Sequence, residues 1–154
     1  MSVAQDIADR LALIAAQLPQ VTTTYAQAPR TIADADLPAV IVLPSRATHT
    51  RNGDGQLETT RTYTLMLLVA NAKYGTEAEY TSNVLDVVEA LVTHLAQRVG
   101  LESGGLGDSI AHDALVSADE GLQVISYPAT ETQQYLGTVI SVTVVYIQTF
   151  AYVS

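Results

Sequence analysis

The sequence has no cysteine, no tryptophan and few residues of positive charge. The lack of cysteine excludes disulfide scaffolds, Cys-ligated zinc and thiol catalysis. Only 7 Lys and Arg stand against 16 Asp and Glu, which gives a net charge of −9 and argues against ordinary nucleic-acid binding, because such proteins neutralise phosphates with cations. What is present is a chain of 154 residues, 48% hydrophobic and 15% charged. That is apolar enough and long enough for one domain with a hydrophobic core.

The charge is distributed unevenly along the chain. All seven cations lie in the first 98 residues beside ten acids, whereas the last 56 residues carry six acids and no Lys or Arg. This asymmetry predicts one strongly negative face of the fold, although it also fits a device for solubility. The candidates for that acidic surface are Glu102, Asp108, Asp119 and Glu120.

Two segments have the apolar spacing of amphipathic helices. From Val3 to Leu18 the apolar residues recur at steps of three and four, and Pro19 follows. The second segment, Thr76 to Val99, begins with Thr76 and Glu79, which match a capping box, and Gly100 provides its stop. Between the helices, Pro29 to Pro38 is expected to be a connector with little to pack.

The remaining segments predict strands. They are a short strand at 21–25, the apolar run Ala39–Leu43 continuing to Thr50, a return strand from Leu57 to Ala70, two strands at 113–118 and 122–127, and a long strand from 134 to about 152. Asn-Gly and Asp-Gly pairs at 52–55 give the strongest turn signal. The uncharged stretch 132–154 contains recurring Gln and Thr, so we interpret it as a strand and not as a membrane helix.

This order predicts an α+β fold with a mostly antiparallel sheet, a long projecting β-hairpin and two helices packed against the sheet. We expect a single domain over 1–154, with a hairpin arm at about 44–64 and a flexible loop at about 101–111.

No motif for catalysis, a cofactor or a metal is evident, and we predict that the protein is not an enzyme. His94 falls within the second helix and is expected to be a helix-surface residue, and His49 lies near the hairpin tip. His112 and Asp113 stand close to Ser109, but no serine has a nucleophile elbow around it. The glycines at 104–107 lack the Lys and Ser/Thr of a phosphate loop.

Arg46, Arg51 and Arg61 all fall on the predicted hairpin. On an acidic protein they form a small positive patch that suits a neighbouring copy of the same chain, because arginine pairs well with carboxylates across interfaces. Nucleic acid is another possible target, and ordinary solvated charges are a third interpretation.

The whole pattern resembles the tail terminator proteins of long-tailed bacteriophages. The resemblance rests on the order of elements and on the length, with Leu37–Val42 closing the connector and Val139–Val144 in the last strand, and not on a site motif. It implies a structural virion protein, a hexameric ring that caps the tail tube, stops its polymerisation and joins the tail to the head connector. Its partners would be further copies of itself, the tail tube protein and the neck protein.

The resemblance also directs attention to strand edges as subunit contacts. We therefore add Val139 and Val145 on the long strand to the three arginines as candidate interface residues. An acidic lumen would let DNA pass as cargo without binding it. No cofactor and no membrane is implied.

Three alternatives stay open at this point. The first is a head-side neck, stopper or head–tail joining protein. The second is a small-ligand-binding or enzymatic α+β domain, which requires a pocket with converging polar groups. The third is a nucleic-acid-binding sheet, which requires exposed aromatics flanked by cations, and the last strand has no cation.

Overall fold

We analysed a computed structural model, which describes residues 3–51, 53, 55–71, 78–98, 113–118, 123–127 and 133–149. The elements are two α-helices, a short 3₁₀ helix at Asp34–Asp36 and six strands. In chain order they are α1 (Val3–Ala16), β1 (Thr23–Tyr25), β2 (Ala39–Arg51), β3 (Gln56–Asn71), α2 (Ala78–Arg98), β4 (Asp113–Ala118), β5 (Gln123–Ser126) and β6 (Gln134–Thr149).

The strands form one sheet in the order β1-β2-β3-β6-β4, and β5 pairs with β6 beside β4. β1 pairs with β2 in parallel, and every other pair is antiparallel. The mostly antiparallel α+β fold is therefore confirmed.

The hairpin is not the free arm that the sequence predicted. β2 and β3 do pair from Ala39 with Leu68 to Arg51 with Leu57. However, β6 pairs with β3 along its whole length, out to Gln56 with Thr149. The extension is therefore three strands wide, because the long last strand needs a partner for its backbone groups as much as β3 does.

One face of the sheet, which we call the first face, packs against both helices. The spacing of Ile7, Leu11 and Ile14 places them on one side of α1, and α2 adds Val88, Leu91 and Leu95. These side chains bury alternate residues of the three central strands, namely Val40, Val42, Tyr63, Leu65, Leu67, Ile140, Val142, Val144 and Tyr146. The Tyr63 hydroxyl also donates to the Ala4 carbonyl of α1 at 2.7 Å.

The opposite face, the second face, is covered at one end by the connector, residues 29–38. The prediction that this connector has little to pack was wrong. Ile32 and Leu37 pack onto a cluster that we call the base half of the second face, consisting of Ala39, Ile41, Met66, Leu68, Ile125, Tyr127, Tyr135 and Val139. The Tyr135 hydroxyl donates to the Ile32 carbonyl at 3.3 Å, and Asn71 donates to the Asp34 carboxylate at 3.2 Å. The connector is thus held by both apolar contact and hydrogen bonds.

Two irregularities in the ladders adjust this sheet. β2 has one extra residue between Pro44 and Ala47, opposite Thr62. β3 has another between Leu68 and Ala70, where it passes Gly137 of β6. A Cβ at Gly137 would overlap the Leu67 carbonyl, so only glycine allows the two backbones to approach there.

Candidate functional site

The outer edge of β2 is the longest unpaired strand edge among the residues that the structure describes. β1 covers this edge only at Ala39–Ile41. Beyond the bulge, Ala47 to Arg51 form a regular segment that pairs with β3 on one side only. Unpaired N–H and C=O groups in such a row are a template for another strand. The preceding Pro44 and the bulge are features that limit strand addition, so the regular segment is the part available for it.

The three candidate arginines do not share one environment. Arg46 and Arg51 are exposed on β2, one on each side of the regular segment. Arg61 is half-buried on the interior strand β3, and its Nε donates to the Tyr146 hydroxyl at 3.3 Å. Arg61 therefore contributes to contacts within the sheet, and the basic edge consists of Arg46 and Arg51.

The structure also separates the arginines from the valines. Register places Arg51 and Arg61 on the first face, since they align with Leu57 and Ala47 respectively. Val139 and Val145 lie on the second face, where Val139 packs against the base half. Alternation along a strand is visible in the sequence, but the relative phase of β2, β3 and β6 is set by pairing and bulges, which no local signal reveals.

Beyond Val139 the second face is lined by hydroxyl-bearing and β-branched side chains, and we call this region the outer half. They are half-buried or exposed, and comprise Thr48, Thr50, Thr60, Thr62, Thr64, Ser141, Thr143, Val145 and Ile147. The Thr62 and Thr143 hydroxyls lie 3.4 Å apart, within hydrogen-bond distance across the strands. Ile147 is 40% exposed at the end of this surface. A flat, uncharged surface of this kind suits contact with another protein surface more than the binding of an ion.

The histidines have structural partners. His94 is half-buried, and its Nε2 donates to the Ile14 carbonyl at 2.9 Å, so it joins the two helices instead of lying on the surface as predicted. His49 lies 2.8 Å from the Thr59 hydroxyl across β2 and β3. The acidic candidates Glu102, Asp108, Asp119 and Glu120, and also Ser109 and His112, lie outside the described residues.

An open groove of about 470 Å³ lies between α1 and the segment after β1, lined by Asp9, Thr24, Tyr25, Ala26, Gln27, Ala28 and Pro29. Gln5 spans it by donating to the Asp9 carboxylate at 3.0 Å and to the Ala26 carbonyl at 3.1 Å. Burial, with a smaller contribution from Asp36, raises the pKa of Tyr25, whose hydroxyl donates to Asp36 at 3.5 Å. These polar groups bind one another, so the groove does not present a converging set to a ligand.

No group of three or more ligating side chains that could hold a metal ion occurs in the part of the chain that the structure describes. Within that same part, neither helix is both long and apolar enough to cross a membrane. No protein-family model matches the chain, and no curated protein matches it. The open edge of β2 and the outer half of the second face therefore stand as the candidate functional surfaces on geometry alone.

Proposed function

We propose that this protein is a structural virion protein whose copies form a ring that caps a phage tail tube, stops tube polymerisation and joins the tail to the head connector. The observation that carries the proposal is the open edge of β2 between Ala47 and Arg51, flanked by exposed arginines on a protein of net charge −9. The order of elements along the chain, which resembles that of tail terminator proteins, supports the same function.

The physical argument concerns how one chain closes into a ring. A contact between two different surfaces of identical chains repeats head to tail, and it closes when the rotation between copies divides a full turn. An open strand edge supplies directional backbone hydrogen bonds for such a contact, and Arg46 and Arg51 supply attraction to an acidic neighbour. The net negative charge of the remaining surface repels passing DNA and so keeps it from binding in the central channel.

The experiment measures the mass of the protein in solution by light scattering, first alone and then with purified tail-tube protein. We expect the protein to form a ring of several times its 16.4 kDa chain mass and to sediment with tubes. Adding it to polymerising tube protein should shorten the tubes, since a capped end does not grow.

A paired variant, Arg46→Glu with Arg51→Glu, should weaken the ring, because it reverses the charge beside the open edge. The matched control is Arg30→Glu, which is also exposed but lies on the connector away from that edge. A protein that stays monomeric at high concentration and ignores tubes would contradict the proposal. Binding to portal-bearing heads but not to tubes would place it on the head side of the joint instead.

A further inference from the structure

The strand directions of the sheet make its two outer edges compatible with each other. β3 runs opposite to β2, β6 opposite to β3, and β4 opposite to β6. β2 and β4, at opposite edges, therefore run in opposite directions. A second copy placed beside the first in the same orientation would bring its β4 next to β2 as an antiparallel neighbour, so the alternation would continue without a break.

The two edges also lie at nearly the same height. Asp113 of β4 pairs with Val145 of β6, Val145 pairs with Thr60 of β3, and Thr60 pairs with Thr48 of β2. The first residue of β4 is thus level with the regular segment of β2. A neighbouring copy needs little displacement along the strands for its β4 to meet Ala47–Arg51.

Charge distinguishes this pairing from the symmetrical one. The β2 edge carries Arg46 and Arg51, whereas β4 begins with Asp113 and contains no Lys or Arg. Antiparallel pairing of β2 with β2 of another copy would bring Arg46 of one chain near Arg51 of the other, and like charges that meet across strands destabilise the pair. Pairing of β2 with β4 places opposite charges together.

From these three observations we propose that the regular edge of β2, Ala47–Arg51, takes β4 of a second copy as an added antiparallel strand, so that one sheet continues from copy to copy. This inference rests on the proposed ring and names the two edges that build it. Asp113 of the added strand lies beside Thr48 or Thr50, between the two arginines.

The absence of native cysteine makes a cross-linking test unambiguous. Thr48→Cys or Thr50→Cys is combined with Asp113→Cys in one chain, and the assembled protein is oxidised mildly. Within a chain, Thr48 and Asp113 are three strand spacings apart, about 14 Å, which is too far for a disulfide. Any disulfide between the two positions therefore joins two copies, and a denaturing gel without reductant should show multiples of the 16.4 kDa chain.

Two controls isolate the edge. Thr60→Cys with Asp113→Cys keeps the same height but places the first cysteine on the interior strand β3, so it should give no multimers. The single variants should stop at dimers or remain monomers, because one cysteine cannot propagate a chain of cross-links. Dimers from Thr48→Cys alone, with no further multimers from the double variants, would show symmetrical β2–β2 pairing and overturn the inference.

A charge exchange provides a second readout that does not depend on cysteine. Arg46→Asp should weaken assembly by about tenfold, and adding Asp113→Arg to the same chain should recover most of that loss. Failure to recover, together with absence of cross-links in a protein that still forms rings, would overturn the choice of edges and leave the proposed function standing. Cross-linked rings that ignore tail tubes would do the reverse.

Discussion

The base half and the outer half of the second face are made by the same alternating strands, yet one is core and the other is surface. In the base half, Ala39, Ile41 and Leu68 have no exposed area, because the connector packs over them. In the outer half, the equivalent positions carry Thr60, Thr62 and other β-branched residues that are half-buried or exposed. The difference teaches that the pleat decides which residues share a face, whereas the chain packed against that face decides whether they become core.

The polar groups of the two halves follow the same division. In the base half, Tyr135 and Asn71 bind atoms of the connector, and the Tyr127 hydroxyl donates to the Pro29 carbonyl. In the outer half, the Thr62 hydroxyl meets the hydroxyl of Thr143 on the neighbouring strand. The base half is thus fastened to its own chain, and the outer half presents its hydroxyl groups for contact with another surface.

Truncation of a base-half side chain should have the largest effect on this comparison. Ile41→Ala is expected to lower the free energy of unfolding by about 4 kcal/mol, because it opens a cavity under the connector. The matched change in the outer half, Thr60→Val, should alter it by less than about 0.5 kcal/mol, since it preserves shape at a half-buried site. Urea unfolding of the two variants measures both values. Equal losses would contradict the division of the face.

A change at the bulge that separates the two halves should rank next. Gly137→Ala is expected to cost about 3 kcal/mol, because its methyl group would overlap the Leu67 carbonyl and force β3 and β6 apart. Ser141→Ala, one full turn of alternation further along the same face, is the control and should cost much less. A Gly137→Ala protein as stable as the parent would show that the strands separate there easily.

Alkaline pH should weaken the fold through its buried tyrosines. Burial raises the pKa of Tyr63 and of Tyr127, so both hydroxyls hold their protons more tightly in the folded state. Their contribution to stability is complete below the ordinary tyrosine pKa near 10 and is lost as pH rises above it.

The test compares the free energy of unfolding at about pH 8 and about pH 11, where the parent should lose more stability than the Tyr63→Phe variant. Each Tyr→Phe change should itself cost about 1 kcal/mol at neutral pH, from the lost bond to Ala4 or Pro29. Tyr127→Phe should reduce the pH dependence less than Tyr63→Phe, because the shift at Tyr63 is the larger. An unchanged slope in both variants would refute the assignment.

The turn at the far end of the outer half should show the smallest effect. Gly53 has φ of +72°, and a Cβ there would meet nothing within 4 Å. Gly53→Ala should therefore cost only the left-handed strain, about 1 kcal/mol. Gly53→Asn, which tolerates this conformation better, should cost less. A loss as large as that of Gly137→Ala would show that packing, and not backbone conformation, limits this position.

Local signals in the sequence predicted the elements closely. β4 has the bounds expected, α1 ends two residues early at Ala16, and the buried set Ile140, Val142 and Val144 follows the predicted alternation. The interface candidates were predicted less well, because Arg61 binds Tyr146 and lies on the opposite face from Val145. Such a contact joins residues 85 positions apart, and no spacing rule reaches that far.

The sequence by itself determined the α+β class, the two amphipathic helices and the turn at 52–55, because periodicity and turn chemistry act over a few residues. It also placed arginines on β2. Tertiary structure alone decided that β6 supports the hairpin, that the connector covers the base half, and that the β2 edge stays open beside Arg46 and Arg51. These outcomes depend on which strands pair and in which register, and that choice is made by contacts between segments distant in sequence.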